Sequence, residues 1–301
     1  YALAFFMALP LHAQRLNDFD LGNLTVERSL VRQGGPPRDG IPSLTNPSFV
    51  TAEQAQLRPN DRVIGVAHNG VAKAYPLLIM NWHEIVNDQF GDVPVAVTYC
   101  PLCYTGMAFL ARHKGERMFF GVSGLLYNSD VLLYDWSSES LWSQIGQHAV
   151  SGPLAGTPLQ QLPSLNTTWG DWSARYPQTR VLSSDTGHRR DYRRDPYSGY
   201  ENSHDVMFPV AFRAEGYHPK EKVIGITLGD VHRAYPISEL ARAASPLTEQ
   251  LGDQVLTIEF DARLNTGRIL DAQGNELPSV LAYWFAWYAF HPDTELFKAP
   301  R

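Results

Sequence analysis

The sequence predicts an α+β, β-rich fold made of two internally duplicated βαβ-like units, with a long β insertion in the first. Three observations carry this expectation. Asp61-Arg62-Val63-Ile64-Gly65-Val66 is echoed by Glu221-Lys222-Val223-Ile224-Gly225-Ile226, and Lys73-Ala74-Tyr75-Pro76 by Arg233-Ala234-Tyr235-Pro236, both 160 positions on. After one inserted residue the echo continues at 161 positions, as in Gly91-Asp92 and Gly252-Asp253. The closing segments correspond as well: Trp169 and Trp172 precede Tyr176-Pro177, as Trp284 and Trp287 precede His291-Pro292. A constant offset between similar segments marks a repeated structural unit.

Along the chain, residues 1–13 read as the remnant of a signal peptide. Ala2–Leu9 is apolar, too short to span a bilayer, and runs into a small residue at Ala13 suited to cleavage. A periplasmic or secreted location is expected. Residues 14–60 form a lead-in segment and 61–220 the first repeat. In that repeat, Val63–Val66 and Val71–Tyr75 flank Asn69-Gly70, a dipeptide favoured in tight hairpins. Asn81–Asp88 reads as a short helix, followed by the apolar strand Pro94–Tyr99. The closing helix starts at Thr168 with Asp171 three residues on, a capping spacing, and stops at Pro177. Roughly 60 extra residues separate strand and closing helix. Residues 221–301 form the second, degenerate repeat.

Composition narrows the function. There are 25 Lys+Arg against 31 Asp+Glu, without a basic tract, so a nucleic-acid partner is not expected. The dense stretch His188–Asp195 alternates cations with carboxylates and reads as a solvated loop. No later run is long enough for an integral membrane span. The expected partner is a small molecule or metal ion.

Chemistry concentrates at Cys100-Pro101-Leu102-Cys103, the chain's 2 cysteines. The offset sets Cys100 opposite Asp261 and Cys103 opposite Leu264, and Asn81-Trp82-His83-Glu84 opposite Ala241-Arg242-Ala243-Ala244. The reactive side chains therefore belong to the first half alone. Three readings stay open. With His83, the two sulfurs can ligate copper or zinc, completed by Met107, His113, His204 or water. As a catalytic dithiol, Cys100 and Cys103 can cycle with a disulfide. These two describe a metal-dependent or thiol-redox enzyme. The third is a ligand-binding or scaffold module in which the pair is a structural disulfide, although so short a loop gains little from closure. Glu84, Ser123, Asn128, Trp142 and Gln144 are candidate pocket-lining residues, and Tyr127-Asn128-Ser129-Asp130 reads as a turn between strands. Gly121-Val122-Ser123-Gly124-Leu125 lacks the final glycine of a serine nucleophile elbow. Tyr192, Tyr197 and Tyr200 read as loop packing.

The runs Trp82–Asp88 and Val97–Cys103, with Ser123–Ser129, Ser140–Gln144 and Asp39–Pro42, resemble the bacterial domain-of-unknown-function family 3179. The resemblance extends from about Asp39 to Phe297. It implies the same fold unit and the same site region, implies a small residue near Met107 rather than a ligand, and assigns no substrate.

Overall fold

A computed structural model describes residues 15–213 and 215–300. The signal segment expected at 1–13 lies outside them. The described chain folds as a five-bladed β-propeller, 41% strand and 11% helix, rather than as βαβ units in an α+β fold.

Blade 1 runs 165–168, 62–68, 71–76, 180–182, 49–51, and blade 2 runs 161–162, 105–110, 93–100, 85–90, 44–45. Blade 3 runs 148–151, 141–143, 130–135, 120–127, 31–33. Blade 4 orders 280–283, 222–228, 231–236, 295–296, and blade 5 orders 247–251, 254–261, 266–270. Consecutive strands mostly pair antiparallel through short turns, which leaves no crossover for a βαβ helix to fill. The lead-in segment supplies outer strands to three blades, at 31–33, 44–45 and 49–51.

The helices among the described residues are α1 (Leu77–His83), α2 (Trp169–Arg175), α3 (Ile237–Leu240) and α4 (Trp284–Phe290). The helix expected over Asn81–Asp88 is therefore displaced. It ends at His83, Glu84 takes φ 56°, and Ile85–Phe90 becomes a strand against 93–100. The physical reason is Ile85-Val86, two β-branched residues fully buried in the pleat of blade 2. The helical cap expected at Thr168 does form, its hydroxyl accepting from Asp171 N at 3.3 Å.

Side chains close the ring. Asn87 bridges blades 2 and 3, donating to Phe120 O at 2.8 Å and accepting from Phe120 N at 2.8 Å. Asn128 donates to Ala289 O across blades 3 and 4 at 3.1 Å. Arg62 donates to Leu264 O and Thr266 to Asn166 O, which joins blades 5 and 1. The echoed segments occupy like positions in blades 1 and 4, each a hairpin with a Trp-bearing helix laid on it. At Gly65 an added Cβ would sit 2.1 Å from Trp172, and at Gly225 one would sit 2.3 Å from Trp287. Each indole thus packs directly on backbone, which only glycine permits.

Gly65→Ala is expected to lower stability by about 1–3 kcal/mol through overpacking against Trp172. The urea midpoint reads this; an unchanged midpoint would show that the indole is free to move.

Candidate metal centre

The Cys100–Cys103 turn joins strands 93–100 and 105–110 of blade 2. The strand 93–100 delivers Cys100 from a run buried from Pro94 onward, and Cys103 N donates back to Cys100 O at 3.2 Å. Tyr104 at φ 60° turns the chain into 105–110. The next blades hold this loop in place: Tyr283 N donates to Cys103 O at 2.8 Å, and the Cys103 thiol donates to Ser129 O at 3.3 Å. Both cysteines are buried and unbonded to each other.

The third member comes from blade 3. Asn128 and Ser129 both take positive φ, 52° and 68°, as a two-residue type I′ hairpin requires. That turn starts the next strand at Asp130, aiming its carboxylate at the sulfurs. Ligand atoms of Cys100, Cys103 and Asp130 all lie within 4.8 Å of one another, and all three residues are buried. Asp130 is firmly oriented, with Oδ2 accepting from Ile145 N at 3.0 Å and Oδ1 lying 3.4 Å from Thr105 Oγ1. Thr105 in turn donates to Gln144 Oε1 at 2.6 Å, and Gln144 Nε2 donates to Thr98 Oγ1 at 2.7 Å.

Glu84 lies beside this trio, near enough for the Asp130 charge to act on it. A cavity of about 60 Å³ is lined by Glu84, Cys100, Pro101, Leu102 and Tyr197, among others. That volume is enough for a few waters or a hydrated ion. Glu84 is held at positive φ and is buried, two costs that a non-glycine residue bears only where the surroundings fix it.

Electrostatics follow from burial. Desolvation, reinforced by Asp130, pushes Glu84 up to about 8, and desolvation pushes Asp130 up to about 7. Burial likewise raises both thiols above the ordinary range. None of the four groups forms an ion pair or hydrogen bond with a Lys, Arg or His side chain among the described residues.

His83 does not join the sulfurs. Nδ1 lies 2.7 Å from Pro42 O, which can only accept, so this nitrogen carries the proton. Nε2 then accepts from Tyr192 OH at 2.6 Å, and that hydroxyl lies 2.6 Å from Thr186 Oγ1. Both ring nitrogens are occupied, and burial depresses the imidazole to about 4, so the ring is neutral. Met107 is in the apolar core, His204 packs on His218 at 4.0 Å between ring centroids, and His113 lies on the short 112–113 strand; none belongs to the group.

Of the candidate pocket residues, Glu84 lines the cavity. Gln144 accepts from the Thr105 hydroxyl that neighbours Asp130. Ser123 donates to Leu132 O at 2.5 Å within blade 3, and Trp142 donates to Asp135 Oδ2 at 3.0 Å in the core. Asn128 ties the Asp130 turn to α4. Asp130 itself was hidden in the sequence reading as a turn residue. A carboxylate opening the wholly apolar run Val131-Leu132-Leu133 was the available signal, because a charge there must be buried.

Residues 38–294 match the family model described as "Protein of unknown function (DUF3179)". The chain belongs to this family. No curated protein and no solved structure matches the chain. The family relationship carries no assigned activity, so the site must be read from its own geometry.

Glu84 binds a proton in the folded state at pH values where the unfolded carboxylate, near 4.5, is ionised. Its contribution to stability is therefore full below pH 4.5, declines as pH rises, and is gone above about 8. Glu84→Gln cannot ionise. In chelator-treated protein its stability relative to the parent is expected to rise by a few kcal/mol between pH 5 and 8, as denaturant melts at each pH will read. Parallel curves would mean that Glu84 is ionised in the fold.

Proposed function

We propose that this is a metal-binding protein, periplasmic or secreted, in which Cys100, Cys103 and Asp130 hold a zinc or copper ion. One observation carries the reading: Cys100, Cys103 and Asp130 bring three buried acidic groups within 4.8 Å of one another, Glu84 is buried nearby, and among the described residues no basic side chain pairs with any of them. Buried charge is costly unless paired or bound to metal, and without a cation these groups must stay protonated. A divalent ion replaces those protons and meets three donors already gathered within 4.8 Å. Two thiolates with a carboxylate suit zinc best; the carboxylate is a harder donor than copper(I) prefers.

Three protein donors leave a coordination position open, as in catalytic rather than structural zinc sites. Bound there, the ion would supply Lewis acidity. The surrounding residues have defined tasks. The Ile145 amide orients the Asp130 carboxylate, and Gln144 fixes the neighbouring Thr105 hydroxyl by accepting its hydrogen bond. Glu84 keeps its proton at neutral pH on the cavity wall, the state required of a proton donor. Tyr197 and Pro101 also line the cavity.

Burial counts against the thiol-redox reading, because it raises both thiols, whereas an attacking cysteine needs a lowered one. The scaffold reading requires a disulfide between residues that are unbonded here.

Elemental analysis after zinc or copper loading and dialysis is expected to find about one ion per chain. Asp130→Asn and Cys100→Ser should each weaken retention at least tenfold, following the loss of a ligand. A parent protein that retains no metal would sink the proposal.

A further inference from the structure

A second feature of the molecule is not used by the metal centre. A cleft of about 620 Å³ opens where blades 1, 2, 4 and 5 meet, with one wall supplied by the long segment after strand 180–182. That size suits a ligand of a few rings. Over residues 183–221 the described chain has only one 3-10 turn, Tyr200–Asn202, so the segment is a strap rather than a blade. Long irregular segments in compact folds are commonly functional.

The strap is clasped by three successive residues at the end of α1. Asn81 Nδ2 donates to Asp195 Oδ1 at 3.0 Å, Trp82 Nε1 to Arg194 O at 3.2 Å, and His83 meets Tyr192. This clasp positions Asp195, Tyr197 and Tyr200 in the cleft wall.

The wall's charges are already engaged. Arg62 is committed to Leu264 O and Asn166 O, Asp61 pairs with Arg58, Asp195 accepts from Asn81, and Arg263 pairs with Asp261. Lys222 lies over the Tyr104 ring at 4.2 Å and 3.5 Å from Glu201. Arg62, Lys222 and Arg263 on the wall are matched in number by Asp61, Asp195 and Glu201, so the cleft carries no net charge that would favour an ionic ligand.

What remains free is phenol and amide. Tyr99 and Tyr283 are each only 3% exposed and line the cleft. Among the described residues their hydroxyls make no hydrogen bond, yet neither is sealed from solvent as the Tyr200 hydroxyl is. Tyr104 packs against both rings, at 6.3 and 5.3 Å between centroids. Asn60 and Asn265 stand at the exposed rim. Phenol hydroxyls without a protein partner, beside rim amides, match a ligand that carries many neutral hydrogen-bonding groups.

We infer that this cleft is a binding site for a neutral, hydroxyl-rich ligand, an oligosaccharide of two or three sugar units. The site is separate from the metal centre. Pro101 and Tyr197 line both the cleft and the small cavity, so a bound sugar would rest against the partition between them.

The test titrates chelator-treated full chain by calorimetry with cellotriose, maltotriose and chitotriose, and with trigalacturonic acid and trilysine as charged controls. At least one neutral trisaccharide should bind at one per chain, with affinity insensitive to salt. Tyr283→Phe and Tyr99→Phe remove a hydroxyl and leave the ring, and each should weaken binding at least fivefold without lowering the melting temperature appreciably. Absence of binding by all three neutral sugars, binding of a charged control alone, or full affinity in both variants would overturn the inference. Because no metal is present, the result is independent of the metal reading.

Discussion

Desolvation of acidic side chains is the constraint around which the site is organised. Glu84, the Cys100–Cys103 pair and Asp130 come from three turns of blades 2 and 3, and the pair and Asp130 are held by backbone contacts rather than by a countercharge. The positive φ values at Glu84, Tyr104 and Ser129 fall at the turns that bring these residues together. Left-handed backbone at non-glycine residues costs of order 1 kcal/mol or more apiece, so the rest of the propeller must compensate for it. That compensation is the apolar packing of the blades and the ring of side-chain to backbone bonds that fixes one blade against the next.

Organisation by burial also explains the division of labour among the motifs. The Asn81-Trp82-His83 run faces away from the sulfurs and holds the strap; only Glu84, after the backbone reverses, faces them. Adjacent residues of one motif therefore serve opposite sides of the same strand-and-helix junction. A neutral His83 is suited to this, since its two nitrogens act as one donor to Pro42 O and one acceptor from Tyr192.

Local pairings were legible in the sequence wherever chemistry at the turn dictates geometry. The Asn69-Gly70 hairpin, the Asn128-Ser129 turn and the Thr168–Asp171 cap are set by residues within a few positions of one another. The Cys100–Cys103 pair stood out in the sequence because the echoed segment lacks both sulfurs, and the fold sets both beside Asp130. Closure into five blades was not legible. It depends on contacts such as Arg62 with Leu264, about two hundred positions apart, and on strand 180–182 pairing parallel to 71–76. The helix over Asn81–Asp88 was misread because Ile85-Val86 suits either period until a partner strand is known. Asp130 escaped notice for the same reason: its approach to the cysteines is a product of blade packing, with no trace in spacing.

The central claim is that sulfur from Cys100 and Cys103 binds the ion. X-ray absorption at the metal edge, on zinc-loaded full-length protein, tests this most directly. The account predicts two sulfur scatterers at about 2.3 Å beside oxygen at about 2.0–2.2 Å. A shell of oxygen and nitrogen alone, with no sulfur, would contradict it.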